Sequence, residues 1–287
     1  MNIKLTNKGI CLSLSVLFIL YFVSINSESI YGHTFSPNES AEFLVFLDEF
    51  DTAILLTSTN LDNITIAKEH ITKASSIYSQ DIQKEISEKN KRVSNEILST
   101  LNKVLMINST SNISEINNTL NTFKDILLEA ETSRLDPSAK QNTTIQALHF
   151  AGLLDLIEKN YKQVSIPANI SESNSQSDTN VSSISSFQTA QILLNKLKSL
   201  YDQVLKPSLI SENKTSYFEN LDNGLLKLET VISQKQPFVE MTNILHGTLH
   251  SELLKAFDLK LKQSNATSSH DMSSMEQKTH GSHKMQK

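Results

Sequence analysis

Histidine and methionine carry the coordination chemistry of this sequence, and they gather toward its C-terminal part. His246 and His250 stand four residues apart in a segment of helical period, so they share one face and can hold a metal ion between them. The same spacing also suits two histidines that merely solvate a helix boundary. Farther on, His270, His280 and His283 are interspersed with Met272, Met275 and Met285. Imidazole and thioether together suit copper in both oxidation states. A polar end that acquired these residues without selection for metal would read the same way. His33 adds a further candidate, because Gly32 before it is small enough to precede a signal-peptidase cut. A terminal His33 would chelate one copper ion through its amine and imidazole, with His70, His149 or His246 completing the site. Cleavage after Ser27 or Ser29 would leave it an ordinary residue. The candidate metal set is therefore His33, His246, His250, His270, Met272, Met275, His280, His283 and Met285, and copper is the expected ion.

Catalytic signatures are missing. There is no glycine-rich phosphate loop, no Gly-x-Ser-x-Gly elbow, no His-Glu-x-x-His and no paired Glu-x-x-His of the di-iron type. No catalytic or cofactor-binding residue is assigned, and the expectation is a protein that is not an enzyme. His70 lies beside Ala67 and Ala74, and His149 beside Leu148 and Gly152. Both read as packed histidines bonded to a backbone carbonyl or a neighbouring helix.

The N-terminus sets the expected compartment. Lys4 and Lys8 precede an apolar run from Ile10 to Val23, followed by polar residues. At about fourteen residues the run matches the apolar part of a secretory leader better than the roughly 20 residues of a spanning helix. Residues 1–32 are read as a signal peptide, or as an uncleaved anchor with its lysines on the cytoplasmic side. The protein is expected outside the cytoplasm, secreted or tethered to the membrane's outer face, touching the membrane only through that segment. Cys11, the single cysteine, lies within the leader, so a cleaved chain would have neither disulfide nor thiolate ligand. Asn-x-Ser/Thr acceptors at Asn38, Asn63, Asn108, Asn112, Asn117, Asn142, Asn169, Asn180, Asn213 and Asn265 suit an exported glycoprotein. A net charge of -5 argues against nucleic acid as a partner. An envelope protein or membrane complex is the macromolecular partner expected.

Apolar residues recur at helical spacing in about seven segments, and no stretch alternates as a strand would. Ser36-Pro37-Asn38-Glu39 predicts a helix start capped by a hydroxyl, ahead of Phe43, Leu47, Phe50 and Ile54. From Ile64 to Leu105 one stripe continues, long enough for a rod of about 60 Å unless it breaks near Lys89 and Asn90. A third segment centres on Leu120, Phe123 and Leu127, and a fourth runs from Asp136-Pro137 to Tyr161. Three more end near Leu205, Ile232 and Phe257, punctuated by Pro207 and Pro237. The prediction is an all-α fold of up-and-down bundles, as a four-helix group followed by a three-helix group or as one bundle. Residues 33–164 form the first group, 165–183 a polar linker, 184–262 the second, and 263–287 a tail expected to be disordered.

The runs YGHTFSPNESAEFL, NITIAKEHITKA and ISEKNKRV, with FQTAQILLNKLKSLYDQVLKP and ILHGTLHSELLKAF, carry a likeness. Over residues 31–261 the chain resembles uncharacterised exported helical proteins of ammonia-oxidising archaea (Thaumarchaeota). The resemblance implies an archaeal envelope location and a helical fold. Those organisms depend on extracytoplasmic copper enzymes, so it also implies an environment in which copper is handled.

Overall fold

In a computed structural model the described residues are 38–164 and 176–261, with side chains described for 38–164 and 180–261. The leader, the tail, His33 and residues 165–175 lie outside them. Among the described residues there are ten helices, counting each run interrupted by a π turn as one, and no strand. None is long and apolar enough to cross a membrane.

The all-helical expectation holds, while the count rises from about seven to ten. Helix α1 (Glu39–Thr59) starts two residues later than expected, with the Asn38 side chain as its cap, accepting from the Ala41 N–H at 3.0 Å. The stripe read as one rod becomes α2 (Ile64–Ile77), α3 (Gln80–Lys89) and α4 (Lys91–Leu105). Asn90 makes the anticipated break: its N–H donates to Ile86 O, and its side-chain oxygen accepts from Val93 N at 3.3 Å to start α4. A second break at Tyr78 and Ser79 was hidden by the unbroken apolar period. There the chain turns so that Tyr78, buried, bonds Ser94 Oγ at 2.9 Å and returns α4 to α2. Helix α5 (Ile113–Arg134) is capped by Asn112. The fourth predicted segment divides into a short α6 (Pro137–Gln141) and α7 (Thr143–Val164), since Asn142 caps a new start through Thr144 and Ile145.

Helix α8 runs from Gln176 through a π turn at Tyr201–Leu205 to Ser211. It is already helical within the stretch read as a linker. Just beyond that stretch Ser185 and Thr189, 3 % and 1 % exposed, pack against the protein. Pro207 does not end the helix; the π turn just before it relaxes the hydrogen-bond pattern that a proline ring disrupts. Helix α9 (Thr215–Ser233) follows, and α10 spans Phe238–Ile244, a π turn at Leu245–Leu249 and His250–Ala256.

Among the described residues two large apolar cores result, with a small third cluster of Leu61, Ala67 and Ile107. The first is built by α1 to α5 around Phe50, whose ring meets Phe123 and Tyr78 edge-on at 5.8 and 6.1 Å. The second gathers α8, α9 and α10 around α7, through Phe150, Leu154, Ile157 and Tyr161. Helix α7 thus belongs by its apolar side to the C-terminal helices, while its other side lies on α1. Gly152 permits that approach, because a Cβ there would sit 2.5 Å from Val45 Cγ2.

Candidate functional site

Where the two cores meet, the contacts become polar. Asp48 on α1 faces His149 of α7, whose Nε2 lies 2.9 Å from Asp48 Oδ2, and Lys196 of α8 donates to Asp48 at 3.0 Å and Asp51 at 2.6 Å. Burial pulls the Asp48 carboxyl upward, yet the His149 hydrogen bond and the Lys196 charge hold it below the ordinary aspartate value. One helix away, His70 of α2 is fully buried: its Nε2 lies 2.9 Å from Gln188 Oε1 and its Nδ1 3.3 Å from Ser185 Oγ. Gln188 in turn donates to Asn60 Oδ1 at 3.0 Å. Both histidines bond to a neighbouring helix. Their ring nitrogens are engaged in tying helices together, so this seam is structural.

The second polar constellation spans α7 and α10 inside the C-terminal core. On α10, Thr242, His246 and His250 follow at intervals of four and share a face; on α7, Asp155 and Glu158 are three apart and meet it. Glu158 is only 3 % exposed and His250 2 %, whereas the His246 side chain is 19 % exposed. His246 Nε2 lies 3.2 Å from Glu158 Oε1, which Thr242 Oγ1 also approaches at 3.5 Å. His250 Nε2 lies 3.4 Å from Asp155 Oδ1. The two Nδ1 atoms face each other at 3.2 Å, with ring centroids 5.1 Å apart. Each imidazole therefore points one nitrogen at a carboxylate and the other at its neighbour. Crowding by the protein, and then the Glu158 charge, raise the Asp155 carboxyl above its usual value; a side chain still 52 % exposed moderates that shift.

The two rings could supply two imidazole donors to a metal ion. Metal-bound histidine almost always gives its far N–H to a carboxylate, carbonyl or water, which fixes the tautomer and aims the ligating nitrogen. The His246 ring meets that condition at Glu158, and the His250 ring has Asp155 within ion-pair distance. Among the described residues no group of three or more His, Cys, Asp or Glu side chains converges to hold an ion, so the pair supplies two donors. His246 and His250 are thus brought together, on the π turn of α10 and just after it. His33, His270, Met272, Met275, His280, His283 and Met285 lie outside the described residues. Sequence reasoning missed Asp155 and Glu158. A signal existed for the second, since Glu158 falls on the apolar face that Leu154, Ile157 and Tyr161 define.

A separate pocket of about 480 Å³ opens between α1, α3 and α5, among Glu39, Glu42, Glu85, Glu88, Lys89 and Arg134. Arg134, 13 % exposed, spans it by pairing with Glu85 and Glu39, so its charge is already met within the protein.

The chain matches no family model, no curated protein and no solved structure.

Proposed function

We propose that this is a non-catalytic extracytoplasmic helical protein that binds a metal ion, copper foremost, between His246 and His250. The observation that carries the reading is the pair of Nδ1 atoms 3.2 Å apart, with the outer nitrogens directed at Glu158 and Asp155. Imidazole donors rank copper highest among common divalent ions, and a cleaved chain would hold no thiolate to redirect the choice. The export segment supports the compartment, and the resemblance to archaeal exported proteins supports the same setting. The histidines and methionines beyond residue 262, with His33, would form separate, weaker sites.

Titration of the full mature protein with Cu(II) under chelator competition tests this. One equivalent should bind at the pair, and His246→Ala should weaken it roughly a hundredfold or more, beyond the loss that an outer partner causes. Equal affinity in wild type and His246→Ala would remove the pair from the account.

A second reading, a glycosylated interaction module of the cell envelope, is favoured by the exposure of Asn108, Asn180 and Asn213. Glycan mass on peptides containing these three asparagines of the native protein is the expected result; unmodified peptides would oppose it. Asn38, Asn63, Asn112 and Asn142 serve as helix caps, which gives the abundance of Asn-x-Ser/Thr a second physical origin.

A further inference from the structure

We infer that the His246–His250 centre is an open one, in which the protein occupies one edge of the ion's coordination shell and a small exogenous anion takes an adjoining position. The inference rests on the metal reading above and concerns what else the ion binds. A tetrahedral ion with metal–nitrogen bonds of about 2.0–2.1 Å has ligand atoms about 3.3 Å apart along each edge. The observed separation of 3.2 Å, at which one Nδ1–H donates to the other ring, matches the length of such an edge once an ion replaces that proton. Linear coordination by the same two atoms would require them roughly 4 Å apart on the same bond lengths. Swinging the rings outward to reach that spacing would push their Nε2 atoms against Glu158 and Asp155, which already lie at 3.2 and 3.4 Å.

The donor set leaves room. The carboxylates face the far nitrogens, so with the rings in these positions they sit behind the ligands and not beside the ion. Two neutral imidazoles contribute no charge to the ion they hold, and a small anion in the next position reduces its net charge directly. Access comes from the His246 side, where that side chain is 19 % exposed, while His250 closes the other side at 2 %. An open coordination position is the feature that separates exchangeable or reactive zinc-type centres from closed structural ones. The chemical class is therefore a compact monodentate anion able to enter beside His246.

Azide is a suitable probe. The full mature protein carrying one equivalent of Cu(II) should develop a saturable azide-to-copper charge-transfer absorption. His246→Ala under the same loading should lose it. A variant with His270, Met272, Met275, His280, His283 and Met285 all changed to alanine should keep it, which places the signal at the helix pair. Copper bound at the pair with no azide band in wild type would mean a saturated centre and overturn the inference while leaving the metal reading intact. A band that appears only in the six-fold variant would show that the chain's own donors fill the position, and would overturn it equally. Failure of wild type to bind copper, or undiminished binding by His246→Ala, would instead defeat the metal reading itself.

Discussion

Acidification from pH 6.5 to pH 4 should cost the folded protein about 3 kcal/mol through His70 alone. His70 is 0 % exposed, and burial pushes its imidazole down to about 4 from 6.5, more strongly than the Gln188 hydrogen bond raises it. The nearby Lys73 charge acts in the same direction as burial. The folded state thus takes up the proton later than the unfolded chain as pH falls. Its advantage is complete above 6.5 and declines as pH drops toward 4. The bonds explain why relief is not available: Ser185 and Gln188 occupy the two ring nitrogens, and Gln188 is itself committed to Asn60. Urea unfolding at several pH values, compared between wild type and His70→Gln, measures the effect. The variant is expected to be less stable at pH 7 yet to lose about 3 kcal/mol less between the two pH values. An unchanged pH dependence would show that His70 does not titrate as its burial requires.

Glu158→Gln should weaken ion binding at the histidine pair by about ten- to a hundredfold while leaving thermal stability near that of wild type. The carboxylate is 3 % exposed and lies 3.2 Å from His246 Nε2. Gln keeps the shape and one acceptor oxygen but removes the charge that makes the imidazole a stronger donor to a metal. Stability is expected to hold because no unpaired buried charge is created. Chelator competition on the variant, alongside a thermal melt, separates the two effects. Loss of stability with unchanged affinity would reassign Glu158 to packing.

Much of the fold was legible because helical period is a local property, and each apolar stripe found its core. What stayed hidden was set by contacts distant in sequence. Nothing in the apolar stripe between Ile71 and Ile86 marks the turn at Tyr78, because the break is stabilised by a bond to Ser94 sixteen residues on. Helix α8 begins at Gln176, inside a stretch whose Ser, Asn, Asp and Gln residues carry no apolar period to announce a helix. The π turn of α10 has no proline to betray it. Helix α7 serves both cores, so its apolar stripe could not say which group it joins.

The candidate site divides in the same way. His246 and His250 could be paired from spacing alone, since four residues on a helix is a local distance. Their carboxylate partners could not, because Glu158 is 88 residues from His246 and meets it only through the packing of α7 on α10. Conversely, His70 and His149 looked like packed histidines in the sequence, and the cross-helix bonds to Gln188 and Asp48 give that reading its partners.

The most direct test of the central claim is proton–nitrogen correlation NMR on isotope-labelled histidine, with and without one equivalent of Cu(I). The account predicts that the Nδ1 resonances of His246 and His250 both move on loading and that both Nε2 atoms carry protons in the loaded protein. Loss of the Nε2 protons on loading, or a silent pair while other histidines respond, would contradict it.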